Sequence, residues 1–163
     1  MSLIRLISAS MVISFSLACA GDGISAPPIG FTHAVAGPDC GPAGGPALAI
    51  YLTRDPAIPP IPLTPPLVRI YLAQSVTAIS GRTWTLAGTA SDGNASFQSA
   101  PSNNSGLVQF PIPELATGGY MIVTSVGSDN TIEGAVDVTF PSAGHIRGGF
   151  RAAWVLPNVS LCR

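Results

Sequence analysis

Charge is scarce in this chain, and lysine is missing altogether. Of 163 residues only 9% are charged while 47% are hydrophobic, and all seven basic residues are Arg. A soluble chain ordinarily carries about a quarter charged residues. Low charge with high hydrophobicity is the opposite of the disordered signature, so a wholly unfolded chain is excluded. The formal net charge of -1 leaves no basic footprint, which argues against nucleic acid as a partner. Metal-binding spacing is missing too: there is no CxxC, and the two histidines, His33 and His145, lie far apart, so neither zinc nor another cofactor is expected. GPAGGP (Gly41 to Pro46) lacks the lysine of a phosphate-cradling loop and opens no helix. At this length one domain with a real core is the expectation.

The N-terminus reads as an address. Met1 to Leu6 holds one cation, Arg5, and Leu6 to Ala18 (LISASMVISFSLA) is uncharged and apolar with interspersed Ser. A short charged start, an apolar run and small residues at its end make a secretory signal. The run is too short for a permanent span of about 20 residues, and Gly21, Gly23, Pro27 and Pro28 break any helix that would extend it. Two cleavage readings stand side by side. Ser16-Leu17-Ala18-Cys19 is similar to a bacterial lipobox, whose cysteine is acylated and begins the mature chain, although Ser16 occupies the place where Leu is usual. The alternative is a small-x-small site, Ala18-Cys19-Ala20, cut before Gly21 to release a soluble periplasmic or secreted protein. The lipid anchor at Cys19 is favoured, since AGDGISAPPIG suits a flexible tether. The expected organisation is a signal peptide over 1–18, a tether over 19–39 and one domain over 40–163. The mature chain would then carry six Arg against eight acids.

Three cysteines make an odd count for an oxidising compartment. Both cleavage readings remove Cys19 from the thiol pool and leave Cys40 and Cys162, one near each end of the globular region. A disulfide between them closes a loop of more than a hundred residues, worth about 4 to 5 kcal/mol in the chain-entropy model.

From Ala47 onward short β-rich runs recur between Gly, Pro, Ser and Asn clusters, without helical periodicity. The runs are 47–53, 67–74, 83–90, 95–100, 107–112, 120–126, 131–140 and 146–154. Short strands at this spacing predict an all-β, antiparallel β-sandwich of seven to eight strands, with a small barrel as the alternative. Between the first two runs, RDPAIPPIPLTPP (Arg54 to Pro66) withholds too many backbone donors to be a central strand. It reads as a stiff crossover whose Ile58, Ile61 and Leu63 cover an edge or seal the core. Ile132, Gly134, Val136, Val138 and Phe140 share one face, as do Ile146, Gly148, Phe150, Ala152 and Trp154. Such alternation describes strands with one side on a core and one in water. PSAGH predicts a hairpin turn, with Phe140 opposite Ile146. That register sets Asp137 diagonally between Arg147 and Arg151 as exposed cross-strand charge pairs worth a few tenths of a kcal/mol each.

No catalytic residues are assigned. A set drawn from His145, Asp137 and a serine has no GxSxG elbow, and residues flanking a hairpin turn are seldom buried together. Trp84, Trp154, Tyr51, Tyr71 and Tyr120 would make a sugar-stacking platform if several stood exposed side by side. Trp154 falls on the predicted core face and Trp84 shares a face with Leu86, so anchoring the core is the expectation.

The C-terminal pattern, from Gly119 through TIEGAVDVTF, a short turn, HIRGGFRAAW and a terminal Leu161-Cys162, resembles small lipoproteins of GC-rich environmental bacteria. The resemblance implies a lipobox-like start, an early cysteine after a Pro/Gly tether and a β-sandwich-like body. It brings no activity and no catalytic residues. The expectation is therefore a lipid-anchored envelope protein, a non-enzymatic module that binds a protein, glycan or small ligand or plays a structural part. The alternative is a periplasmic or secreted hydrolase-like enzyme whose site is dispersed through loops such as Ser91 to Gly106.

Overall fold

A computed structural model describes residues 30–41, 44–56, 64–88, 92–104, 107–109 and 111–155. The expected signal segment over 1–18, Cys19, Ile58, Ile61, Leu63 and Cys162 lie outside the described residues. The described chain is all-β, with no α-helix and with a 3-10 turn at Val76–Ala78. Its strands are β1 (His33–Cys40), β2 (Pro46–Thr53), β3 (Leu67–Leu72), β4 (Arg82–Thr85), β5 (Gly93–Gln98) and β6 (Ser102–Asn104). They continue with β7 (Leu107–Gln109), β8 (Glu114–Leu115), β9 (Gly118–Val126), β10 (Ile132–Phe140) and β11 (Gly144–Trp154).

Nine of these strands form one sheet in the order β4-β9-β10-β11-β1-β2-β3-β5-β8, which curls into a half-barrel. β6 and β7 make a separate hairpin. Every pairing within the large sheet is antiparallel except the middle one, where β1 runs parallel to β11. The curl brings its far ends together. Thr117 N–H donates to Thr139 O at 2.8 Å, Ala116 N–H to Ala95 O at 2.9 Å, and Gly88 N–H to Ala116 O at 2.8 Å. The rings of Phe97 on β5 and Phe140 on β10 meet at 5.8 Å.

Alternation explains why the curl is stable. Leu48, Ile50 and Leu52 on β2 face Leu72, Ile70 and Val68 on β3, and all six are fully buried. On the other half Met121 and Val123 stand beside Val136 and Gly134, and the two sets join in one core with Leu86, Ile79 and Phe140. Each such aliphatic side chain contributes about 1.5 to 3 kcal/mol on burial, and only a closed curl gives all of them a partner.

The all-β class agrees with the sequence reading, and three details correct it. First, the described residues hold eleven strands, not seven to eight, and the main ones form a continuous sheet. Second, the sheet starts before residue 40: His33–Asp39, assigned above to the tether, make up most of β1. Ala34 and Ala36 turn inward there opposite Leu52 and Ile50, but small residues beside Gly37 and Pro38 imitate a linker in composition. Third, the β10–β11 register is shifted by two. Phe140 pairs with Gly144, Val138 with Ile146 and Asp137 with Arg147. Pro141, Ser142 and Ala143 alone make the turn, because Gly144 takes φ +71° and lets the chain reverse within three residues. A shift of two keeps each side chain on its own face, so the buried set is the one expected: Ile132, Val136, Val138, Phe140, Ile146, Phe150 and Ala152.

Gly134 shows how tightly that face is packed. A Cβ there would clash with Ile122 O, far inside van der Waals contact, and lie 3.0 Å from Phe150 Cζ. A Cβ at Gly118 meets nothing within 4 Å. Gly134→Ala is therefore expected to lower unfolding free energy by about 1 to 3 kcal/mol, and Gly118→Ala to change it by less than about 0.5 kcal/mol, in denaturant titrations.

The β9–β10 turn carries a pH dependence. Asp129 accepts the Thr131 backbone N–H at 3.0 Å and its hydroxyl at 2.8 Å, and these bonds hold its carboxyl below the ordinary 3.8. A depressed folded-state value contributes stability above the unfolded value, and the contribution disappears as pH falls through the folded one. Asp129→Asn should flatten this part of the acid limb in a pH series of unfolding midpoints, with its difference from the parent shrinking below pH 3.8.

Candidate functional site

The exposed face of β10 and β11 carries the charges that the sequence pointed to, in new partnerships. Asp137 lies directly opposite Arg147, and its Oδ2 stands 3.4 Å from Arg147 Nε. Its Oδ1 meets His145 Nε2 at 2.5 Å. Arg151 belongs instead to Glu133, directly opposite, with Nε–Oε1 3.4 Å. The diagonal arrangement around Asp137 is thus replaced by two rungs, as the two-residue register shift requires. His145 and Asp137 do come together, but on an open surface: the side chains of His145 and Arg147 are 54% and 72% exposed. Among the described residues the imidazole's partner is the Asp137 carboxylate. The nearby Ser142 hydroxyl donates to Glu114 at 2.7 Å, away from the imidazole.

Cys40 ends β1 opposite Pro46, while Cys19 and Cys162 lie outside the described residues. Trp84 is buried in the core together with Leu86, as expected, with its indole Nε1 without a partner among the described residues and the Arg82 guanidinium 5.5 Å from its ring. Trp154 is half-buried and packs on the same core.

The sequence reading missed a site on the other outer face. Pairing registers align Tyr51, Arg69, Ser96 and Leu115 in a single row across β2, β3, β5 and β8. Leu67 with Gln98, and Tyr71 with Asn94, form the rows on either side. Asn94, Ser96 and Gln98 are alternate residues of β5 and so project from one face. With Tyr51, Leu67, Arg69, Pro113 and Leu115 they line a groove of about 570 Å³. This lies within the roughly 300 to 1,000 Å³ typical of small-ligand sites.

Two long side chains fix the floor of this face. Arg69 Nη2 reaches over β2 to pair with Asp39 Oδ2 on β1, and Tyr71 OH donates to Cys40 O at 3.4 Å along the same path. The strand beneath presents Ala47 and Ala49 at these positions, opposite Asp39 and Gly37, and their short side chains let the straps cross. The Arg69 guanidinium also sits 5.5 Å from the Tyr71 ring. Burial opposes the charge on Arg69, but the hydrogen bond and proximity of Asp39, aided by Tyr51, outweigh it and raise its pKa above the ordinary value. Alternation in LVRIYL already turns Arg69 and Tyr71 away from the core. What the sequence does not display is the neighbourhood of β1, because that strand read as tether.

No group of three or more His, Cys, Asp or Glu side chains is arranged to hold a metal ion among the described residues. Comparison with family models, curated proteins and solved structures returns no match for the chain.

The charged rungs are expected to behave as exposed pairs. In a double-mutant cycle, Asp137→Ala with Arg147→Ala should give a coupling of about 0.2 to 1 kcal/mol that fades with added salt. Asp137→Ala alone should cost more than Arg147→Ala, since it also releases His145.

Proposed function

We propose that the protein is an exported bacterial envelope lipoprotein, anchored through an acylated Cys19, whose β-domain works by binding. Its two antiparallel halves, facing each other across the core, act together as a β-sandwich. The observation that carries the binding reading is the groove over β2, β3, β5 and β8. Its described lining supplies an arginine, a phenol, two amides and a hydroxyl among apolar walls, a set suited to recognition by hydrogen bonding. Export is supported by the charged start, the apolar run and the lipobox-like Ser16-Leu17-Ala18-Cys19.

A disulfide between Cys40 and Cys162 belongs to the same reading. β11 runs parallel to β1, and Val155 N–H still donates to Ala36 O at 2.7 Å, so the chain leaves β11 heading along β1 toward Cys40. A Cβ on Gly37 would come within 2.8 Å of Val155 O, so glycine there keeps that approach open. Seven residues beyond Val155 stands Cys162.

A hydrolase reading has one observation in its favour, the His145 imidazole on the Asp137 carboxylate. It demands turnover of an activated ester that His145→Gln abolishes, whereas the binding reading expects no turnover from either protein. Export and anchoring are tested by mass spectrometry of the mature N-terminus. A diacylglyceryl mass on Cys19 is the expected result, and a chain beginning at Gly21 would overturn the anchor. Non-reducing peptide mapping should recover Cys40 linked to Cys162, and two separate alkylatable thiols would refute the link.

A further inference from the structure

We infer that the groove of β2, β3, β5 and β8 binds a neutral saccharide, a ligand class that rests on the binding reading above and narrows it. The argument is one of charge balance. Arg69 is the charged residue among the described lining, and its guanidinium is already held by Asp39. An anionic ligand would meet a guanidinium whose charge the Asp39 carboxylate already balances, and would lie close to that second negative charge. A cationic ligand would find no free carboxylate among the described lining residues.

A wholly apolar ligand fares no better. Asn94, Ser96 and Gln98 would lose water without regaining hydrogen bonds, and buried polar groups left unpaired are destabilising. Sugar hydroxyls avoid each of these mismatches. Every hydroxyl both donates and accepts, as do the amides of Asn94 and Gln98 and the hydroxyls of Ser96 and Tyr51. Alternate residues on a strand stand about 7 Å apart, so the three polar side chains of β5 extend over about 13 Å. That length suits two linked pyranose rings. Tyr51, Leu67, Pro113 and Leu115 offer apolar surface to the C–H faces of those rings. Arg69 completes the set, since Asp39 fixes its planar fork while further N–H donors remain for a vicinal diol.

The geometry favours a saccharide over an extended peptide. A peptide adding to the sheet here would pair with β8, which is two residues long and follows directly on Pro113, so it offers little backbone to pair with.

The test is a titration of the isotopically labelled full chain, followed by amide chemical shifts. Cellotetraose, maltotetraose and chitotetraose serve as neutral probes, trigalacturonate as the anionic probe and tetraalanine as the peptide probe. At least one neutral saccharide is expected to give saturable shifts centred on Asn94, Ser96 and Gln98, with Kd at or below about 1 mM. Asn94→Ala and Gln98→Ala should each weaken binding at least about fivefold, while Tyr120→Ala, on the β9 outer surface, should leave it unchanged. Shifts outside the groove that match the parent protein show that the variants fold. The inference is overturned if none of the three saccharides saturates these signals, or if trigalacturonate or tetraalanine occupies the groove in their place. Occupation by either of the latter would leave the binding reading standing while the ligand class fails. Cleavage of the saccharide into shorter products would support the ligand class and sink the binding-only reading.

Discussion

Two backbone partnerships, Val35 with Ala153 and Ala36 with Trp154, join halves that would otherwise be separate antiparallel sheets. On one side lie β4, β9, β10 and β11, and on the other β1, β2, β3, β5 and β8. Each half is apolar on one face, so each needs the other to remove that face from water. The parallel seam fixes how they meet. It brings β5 against β10, where the rings of Phe97 and Phe140 meet, and it lets the ends of the curl approach near Thr117 and Thr139. The burial of Leu48, Ile70, Met121 and Phe140 in a single core follows from this seam. So does the hydrogen bond from Val155 N–H to Ala36 O just past β11.

The same seam creates the groove floor. Only because β1 lies beside β2 can Arg69 and Tyr71 on β3 find Asp39 and Cys40 two strands away. The alanines between them are as important as the polar groups, since a larger side chain at Ala49 would lift both straps. One face of β2 thus packs the core through Leu48, Ile50 and Leu52, and the other carries a preorganised polar surface. Preorganisation of this kind would lower the ordering cost of the proposed binding, because Asp39 already orients the guanidinium.

Legibility in the sequence followed how strongly each strand alternates. β2, β3, β9, β10 and β11 interleave large aliphatic residues with polar ones, and their existence and inward faces were readable. β1 was not, because HAVAGPDC is built from small residues that derive their strand character from neighbours. β6 and β8 are too short to show any period. The β10–β11 register was misjudged by two because its deciding factor is local: Gly144 accepts a left-handed conformation and shortens the turn. The charged residues of that hairpin were readable, but their partners were not, since partners depend on register. The groove was hidden for a further reason. Asn94, Ser96 and Gln98 sit in a stretch whose composition is that of a loop, and only the pairing of β5 with β3 turns them into one polar row.

The outer limits of the sheet are both short: β4 has four residues and β8 has two. Glu114 of β8 is further occupied by the turn after β10, accepting the Ser142 and Ala143 backbone N–H groups at 3.1 and 3.2 Å. A long bare margin would invite a second molecule to continue the hydrogen-bond ladder, and margins this brief give it little to grip. Edge-to-edge pairing of two copies therefore has little backbone to build on, a property that suits a chain with so little charge to keep its neighbours apart.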